Sequence, residues 1–448
     1  MTFKTLNYIP TKMKNIQTLI DDAKFSKFHW SLVLWCAVLI IFDGYDLVIY
    51  GAVRSSLTTE WGLTPVQAGG LASYALMGMM FGALLFGTVS NIIGYKKVIA
   101  ICVVLFSSFT FLCGFADSPQ TFSLFRFFAG LGIGGLMPTV VALTTEYSPK
   151  KMKTVLTTIM FSGYAVGGML SALMGINLIP AFGWQSVFYV GIIPLLLLPF
   201  AYFKLPESMA FLIKKGRNEE AKTIAQKIKQ TNAENIDFTI QTTKTNSVGF
   251  AELFKKGMAW NTLMFWIIFF MNLLANYGLN TWLPELMKKA GYGLGSNLTF
   301  LFVLNFGAIF GAVGGGLLGD KFDLKKVIAI FFTIAALSLA LLSIKFNTVV
   351  LYLIIGITGA TIVGTQILAY SYVAQRYPAS YRSTGIGWAS GIGRLGAIIG
   401  PILGGMLLKL ELPFHQNFYI CAIPATIAAI ATFLVKNNRL KEKTVETN

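Results

Sequence analysis

The sequence predicts an all-α membrane protein with twelve spanning helices in two pseudo-symmetric six-helix bundles. Three observations carry that reading. Apolar residues make up 55% of the 448 and charged residues only 12%, with a mean hydropathy of +0.66, where a soluble chain carries about twice that charged fraction. Apolar runs of about 20 residues, enough to cross hydrocarbon as a helix, recur along the whole length. They lack the alternation of barrel strands, and only helices or closed barrels span lipid. Finally, the second half of the chain repeats landmarks of the first at one constant offset.

Taken in order, the spans fall at 30–52, 66–90, 97–116, 120–146, 153–177, 184–203, 258–282, 297–319, 326–344, 349–375, 382–407 and 415–435. Residues 1–29 read as a tail without the short apolar core and cleavage site of a leader. The first span contains Phe42-Asp43-Gly44-Tyr45-Asp46, two carboxylates three residues apart and therefore on one helix face. The second holds Gly69, Gly70, Gly78, Gly82 and Gly87, small residues that let helices approach closely, and leads into a basic loop ending at Lys96-Lys97. The third has no landmark. Arg126, a glycine-rich run to Pro138, and Glu146 mark the fourth; Gly163, Gly167, Gly168 and Gly175 mark the fifth. The sixth closes at Pro206-Glu207-Ser208. A polar connection at 204–257, helical around 217–230, separates the bundles 30–203 and 258–435, and 436–448 is a second tail. Cys36, Cys102, Cys113 and Cys421 all fall inside spans and read as small apolar residues rather than a disulfide framework. Tyr50 and Tyr74 read as interfacial anchors.

Charge sets the orientation. With loops assigned to alternate sides, one side holds 29 of the 36 Lys and Arg; the other holds five, namely Arg54, Lys288, Lys289, Lys345 and Lys409. The rich side is cytoplasmic by the positive-inside rule and includes both termini. The net charge of +17 is therefore topology rather than a nucleic-acid footprint. A multi-pass protein of the cell inner (plasma) membrane is expected, as a monomer.

The repeat runs at an offset of 229: Gly87 maps to Gly316, Asn91 to Asp320, Lys96-Lys97 to Lys325-Lys326, Gly135 to Gly364, Pro149 to Pro378, Lys153 to Arg382 and Gly167 to Gly396. Two six-span halves in the same orientation are the arrangement of the major facilitator fold. The pattern at Gly316, Asp320, Lys321, Lys325 and Lys326 is similar to the loop signature of the major facilitator superfamily. Resemblance narrows with Asp43-Gly44-Tyr45-Asp46, Arg126-Phe127 through Pro138, Thr145-Glu146-Tyr147-x-Pro149, Trp282-Leu283-Pro284, Tyr377-Pro378 through Trp388, Gly393-Arg394-x-Gly396 and Gly400-Pro401. Together these resemble the aromatic acid:proton symporter family, its benzoate-type members most of all. The resemblance implies gating roles for the loop residues Asn91, Lys96, Lys97, Asp320, Lys321 and Lys325. One departure stands out: the first loop copy has Asn91 and Ile92 where the family pattern has an Asp and a basic residue. Asn91 keeps a hydrogen-bond acceptor without the ionic part.

Few charges lie within the spans, and each is costly there. At about 1.5 Å per residue, Asp46 and Arg126 both lie about 9 Å below the outer boundary, on spans that line one cavity in this fold, so they are expected to pair. Asp43 lies a turn deeper, near the midplane where transporter sites occur; desolvation penalises its charged form, which suits a proton acceptor. Glu146, near the cytoplasmic end, is placed as an inner-side relay. Arg394 is the one fixed cation near the midplane and can grip a carboxylate with two parallel hydrogen bonds. Asn272, Asn276, Tyr277, Gln366, Tyr370 and Trp388 are candidates for holding an aromatic ring; helix–helix hydrogen bonding is the competing reading for each. No metal or cofactor site and no catalytic constellation is read, so the chain is expected to be no enzyme. The function expected is proton-coupled import of a small aromatic carboxylate by alternating access. A transporter of a sugar, polyol or other metabolite, or a proton-coupled exporter, remains the alternative.

Overall fold

The computed structural model describes residues 14–229, 236–237, 253–254, 258–292, 294–377 and 382–436. Twelve helices among them are long and apolar enough to cross a membrane. We number these α1 Lys27–Trp61, α2 Pro65–Ile93, α3 Tyr95–Cys113, α4 Pro119–Tyr147, α5 Lys153–Phe182, α6 Gln185–Lys204, α7 Ala259–Lys289, α8 Leu294–Lys321, α9 Leu324–Leu341, α10 Thr348–Arg376, α11 Arg382–Lys409 and α12 Phe414–Leu434. The end that carries both chain ends is called inner, the opposite end outer. Short amphipathic helices at Met209–Lys214 and Asn218–Lys229 follow α6, and a two-residue parallel bridge joins Lys14–Asn15 to Ile236–Asp237.

Helix starts follow local chemistry. Thr64 Oγ1 accepts from the Gln67 backbone N–H and the Thr64 N–H donates to Gln67 Oε1 in return, with Pro65 at the first helical position. The side chains of Ser118, Asp323 and Asn347 each accept from one backbone N–H in the first turn of α4, α9 and α10. The chain leaves α1 through Gly62 at φ 60°, a left-handed cap that only glycine adopts without strain.

The repeat is exact in the helix starts. Pro65, Tyr95, Pro119, Lys153 and Gln185 begin α2 to α6, and Leu294, Leu324, Thr348, Arg382 and Phe414 begin α8 to α12, each pair 229 residues apart. Within each half, glycines seat one helix on another. A side chain begun at Gly78, Gly82, Gly130 or Gly134 would strike the partner backbone across the α2–α4 contact. Gly307, Gly311 and Gly359 do the same between α8 and α10.

Contacts between the halves lie from the middle outward. Gly51 of α1 packs on the Asn280 carbonyl of α7, and Gly69 of α2 on Pro401 of α11. Ser73 donates to the Ile398 carbonyl at 2.6 Å, and Gly405 packs on Pro65. Arg54 and Glu285 join the outer parts of α1 and α7 in an ion pair of 2.6 Å. Arg54 was expected in an outer loop; α1 runs on past the expected end at 52, so Arg54 lies within the helix, 4% exposed, its guanidinium 4.4 Å from the centre of the Trp282 ring. Towards the inner end, by contrast, Gly87, Gly316, Gly387 and Gly391 have no atom within 4 Å of where a side chain would begin. Among the described residues, the contacts named above join the halves from the middle to the outer end. Tyr50 is corrected by the fold: it is 2% exposed and donates to the Ala68 carbonyl, because α1 and α2 close over it. Tyr74 remains exposed.

Candidate functional site

The two carboxylates of α1 meet different surroundings. Asp46 is 1% exposed and fully partnered. Nη1 of Arg126 donates to both of its oxygens at 2.8 Å, Nη2 donates to its backbone carbonyl at 3.1 Å, and Thr110 Oγ1 donates to Oδ1 at 2.5 Å. A pair this buried offsets the desolvation of both charges through such hydrogen bonds; Nε of Arg126 has no partner among the described residues. Asp43, 0% exposed, has no hydrogen-bond partner for either oxygen among the described residues. Its electrostatic neighbours are Arg394 and Asp46. Gly44, next in sequence, lets α1 lie directly on the Tyr164 backbone of α5.

Around Asp43 the two halves contribute unequal sets. From α5 comes Tyr164, whose phenol faces that of Tyr277 on α7. From α11 comes Arg394, half-buried, with Met79 Sδ of α2 at 3.9 Å from Nη1 and Tyr277 and Tyr370 as electrostatic neighbours. Tyr370 of α10 shares a hydrogen bond of 3.0 Å with Ser390 and stands edge-on to Phe269. Asn276 donates to Gln366 at 3.0 Å; Asn280 donates to Asn276, and Asn305 to Asn280 at 3.3 Å. This amide ladder ties α10, α7 and α8 together. Asn272, buried, leaves its Oδ1 without a partner among the described residues.

Asp43, Arg394, Tyr277 and Tyr370 are therefore brought together at the centre, with the Asn276–Gln366 pair beside them. Trp388 is not: it is 43% exposed and stacked on Trp266 of its own half. Glu146 stands at the inner edge, where Oε1 accepts from Ser208 Oγ at 3.1 Å and the Ala210 backbone at 2.9 Å, holding the start of the Met209–Lys214 helix; its Oε2 has no partner among the described residues. Lys96 lies over the Tyr202 ring at 4.4 Å while its backbone donates to Glu207. Lys97 is exposed, Lys321 lies 5.7 Å from the Phe322 ring, and Lys325 Nζ donates to the Val435 carbonyl at 2.7 Å. The side chains of Asn91 and Asp320 lie outside the described set.

Three site residues escaped the sequence reading. Asn280 and Asn305 complete the ladder; Asn272, Asn276 and Asn280 form an i, i+4, i+8 series whose third member was a readable signal. Tyr164 sits between Gly163 and Gly167-Gly168, a lone phenol in a run that reads as packing.

With this geometry in place, the comparisons with known proteins are specific. The profile of the Major Facilitator Superfamily matches residues 34–319 and 295–448. The chain belongs to the Major Facilitator Superfamily. It is 45% identical over 435 residues to the benzoate transport protein of Acinetobacter baylyi, covering 95% of this chain and 93% of that one. To the gentisate transporter of Corynebacterium glutamicum it is 37% identical, covering 88% and 84%. These relatives place the chain in the superfamily's aromatic acid family, as the motif set implied. Among solved structures, the inward-facing bacterial homologue of the human lysosomal transporter Spinster matches with a TM-score of 0.72 at 18% identity, over 92% of this chain and 98% of that one. The xylose transporter XylE from E. coli, partially occluded and inward open, matches at 0.70 and 17%, over 90% and 98%. Those two likenesses speak for the fold alone. This is a multi-pass membrane transporter of that superfamily and not an enzyme.

Proposed function

We propose that this protein imports a small aromatic carboxylate, benzoate or a hydroxybenzoate, together with one or more protons, by rocking of its two halves. The benzoate and gentisate transporters to which it is similar support the substrate class. One observation carries the mechanism: a sealed carboxylate, Asp43, without a hydrogen-bond partner, among whose electrostatic neighbours is a guanidinium of the other half, Arg394. A buried carboxylate with no fixed partner is the group placed to carry the proton. Access to water from either side lets the group exchange its proton. Arg394 is the clamp for the substrate carboxylate, because its planar fork suits two parallel hydrogen bonds. Tyr277, Tyr370, Asn272 and the Asn276–Gln366 pair bound the ring. Asp46 and Arg126 act as a coupled pair that holds α1 on α4, and Glu146 with the loop residues Asn91, Lys96, Lys97, Asp320, Lys321 and Lys325 serves the inner end. Both termini are cytoplasmic, the membrane is the cell inner membrane, and the unit is a monomer.

Uptake into proteoliposomes under an imposed pH gradient tests the proposal. Benzoate or hydroxybenzoate should accumulate when the outside is acidic, less as external pH rises, and not at all without a gradient. Gradient-independent accumulation would remove the proton from the scheme, and preference for sugars would remove the substrate.

A further inference from the structure

Between the lipid-facing sides of α7, α11 and α12 runs a groove of about 280 Å³, lined by apolar side chains and by Gly278, Gly400 and Gly404. It extends from Met271 to Leu286 along α7, about 22 Å at 1.5 Å per residue. In a hydrocarbon core about 30 Å thick, one leaflet is about 15 Å deep, so the groove is long enough to take an acyl chain of the outer leaflet. Three things mark it as a built feature. First, the other half has no room for it: at the repeat positions of Leu274 and Gly278 stand Tyr45, buried and donating to the Val187 carbonyl at 2.7 Å, and Ile49, buried. Second, three of the five basic residues assigned to the outer side end the two helices, α7 and α11, that form its outer end. Lys288 and Lys289 end α7 and Lys409 ends α11, all exposed, and Lys289 Nζ reaches the Leu408 carbonyl at 3.4 Å. Their repeat counterparts, Thr59, Glu60 and Pro180, carry no positive charge. The acidic groups nearby are Glu285, engaged by Arg54, and the exposed Glu411, so this end keeps a positive balance. Third, Trp282 forms part of the wall, its Nε1 donating to the Pro401 carbonyl at 2.7 Å, and the same indole carries the Arg54 guanidinium.

We propose that this groove is a binding site for an anionic glycerophospholipid of the outer leaflet, one acyl chain lying along α7 and the phosphate headgroup meeting Lys288, Lys289 and Lys409. The lipid chain packs against Trp282 and so backs the Arg54–Glu285 contact that joins the halves.

Native mass spectrometry of the full chain, released from micelles containing equal phosphatidylglycerol and phosphatidylethanolamine, tests this. Phosphatidylglycerol should be retained over phosphatidylethanolamine by roughly tenfold, or about 1.4 kcal/mol, because only its headgroup carries a net negative charge to meet the lysines. Joint Lys288→Gln, Lys289→Gln and Lys409→Gln replacement should bring the two lipids near parity. Gly278→Ile, which installs the residue of the other half, should lose both; a side chain begun there meets its nearest atom at 3.6 Å, an ordinary contact. Ile423→Trp fills the groove from its exposed side and serves if the glycine variant does not fold. Parity in the unaltered protein, an undiminished phosphatidylglycerol adduct in the filled variants, or a lipid-free dimer in place of the adduct would overturn the proposal.

Discussion

The two halves of this chain start five helices at identical spacing yet carry opposite chemistry at equivalent positions. Asp43 of the first half corresponds to Asn272 of the second, Asp46 to Ala275, and Arg126 to Ile355; Arg394 corresponds to Ala165. Asp43 and Asn272 are each buried with an oxygen that has no hydrogen-bond partner among the described residues. The first half thus keeps the carboxylates and pairs one of them internally, while the second keeps the Arg394 guanidinium, which forms no ion pair among the described residues, and a ladder of amides. Backbone shape is duplicated and charge is divided. In the mechanism we propose, this division puts the proton-carrying group and the anion-gripping group on separate halves, so their mutual field would change as the halves rock. A symmetric distribution would leave each half electrically self-contained.

The largest expected effect comes from making the halves alike. Asp43→Asn gives the first half the chemistry of Asn272, and accumulation driven by a pH gradient should be abolished while exchange of labelled substrate persists; full accumulation by the variant would end the coupling role. Next in size is the internal pair. Arg126→Gln strands Asp46 in a buried site, where loss of one partner costs about 3–5 kcal/mol, read as a fall in thermal stability in detergent. Adding Asp46→Asn should recover much of it, and additive losses would mean that the two charges act apart.

On the other half, Arg394→Lys keeps the charge and loses the planar fork, so KM for the aromatic acid should rise about tenfold, or ~1.4 kcal/mol. An unchanged KM would take Arg394 out of the clamp. The smallest effect is at the seam. The Arg54 guanidinium is buried while Glu285 keeps 21% exposure, and a glutamine at 285 keeps an oxygen that can accept from Arg54, so the loss on neutralising Glu285 should be modest. Glu285→Gln should raise outer-side labelling of a cysteine placed at Thr281 by a few fold. Exchanging the charges, Arg54→Glu with Glu285→Arg, should restore it.

Much of this was legible in the chain. Hydropathy, the lysine asymmetry and the 229-residue offset specified twelve spans in two halves, because lipid demands long apolar helices and the repeat is written in glycines and prolines that backbone packing requires. The two carboxylates of α1, Arg126 and Arg394 announced themselves by their cost in hydrocarbon. Helix geometry placed Asp43 and Asp46 on one face. What separates them is tertiary: α4 delivers Arg126 and α3 delivers Thr110 to Asp46, whereas Asp43 meets no hydrogen-bond donor among the described residues. The same holds for Arg54, which reads as an outer-loop charge and becomes a buried partner of Glu285, 231 residues away, and for Tyr164, whose phenol matters only because α7 brings Tyr277 to face it. Residue type and period report how a side chain relates to its own helix and to lipid. Which charge finds a partner depends on helices far away in sequence, and only the packed structure decides that.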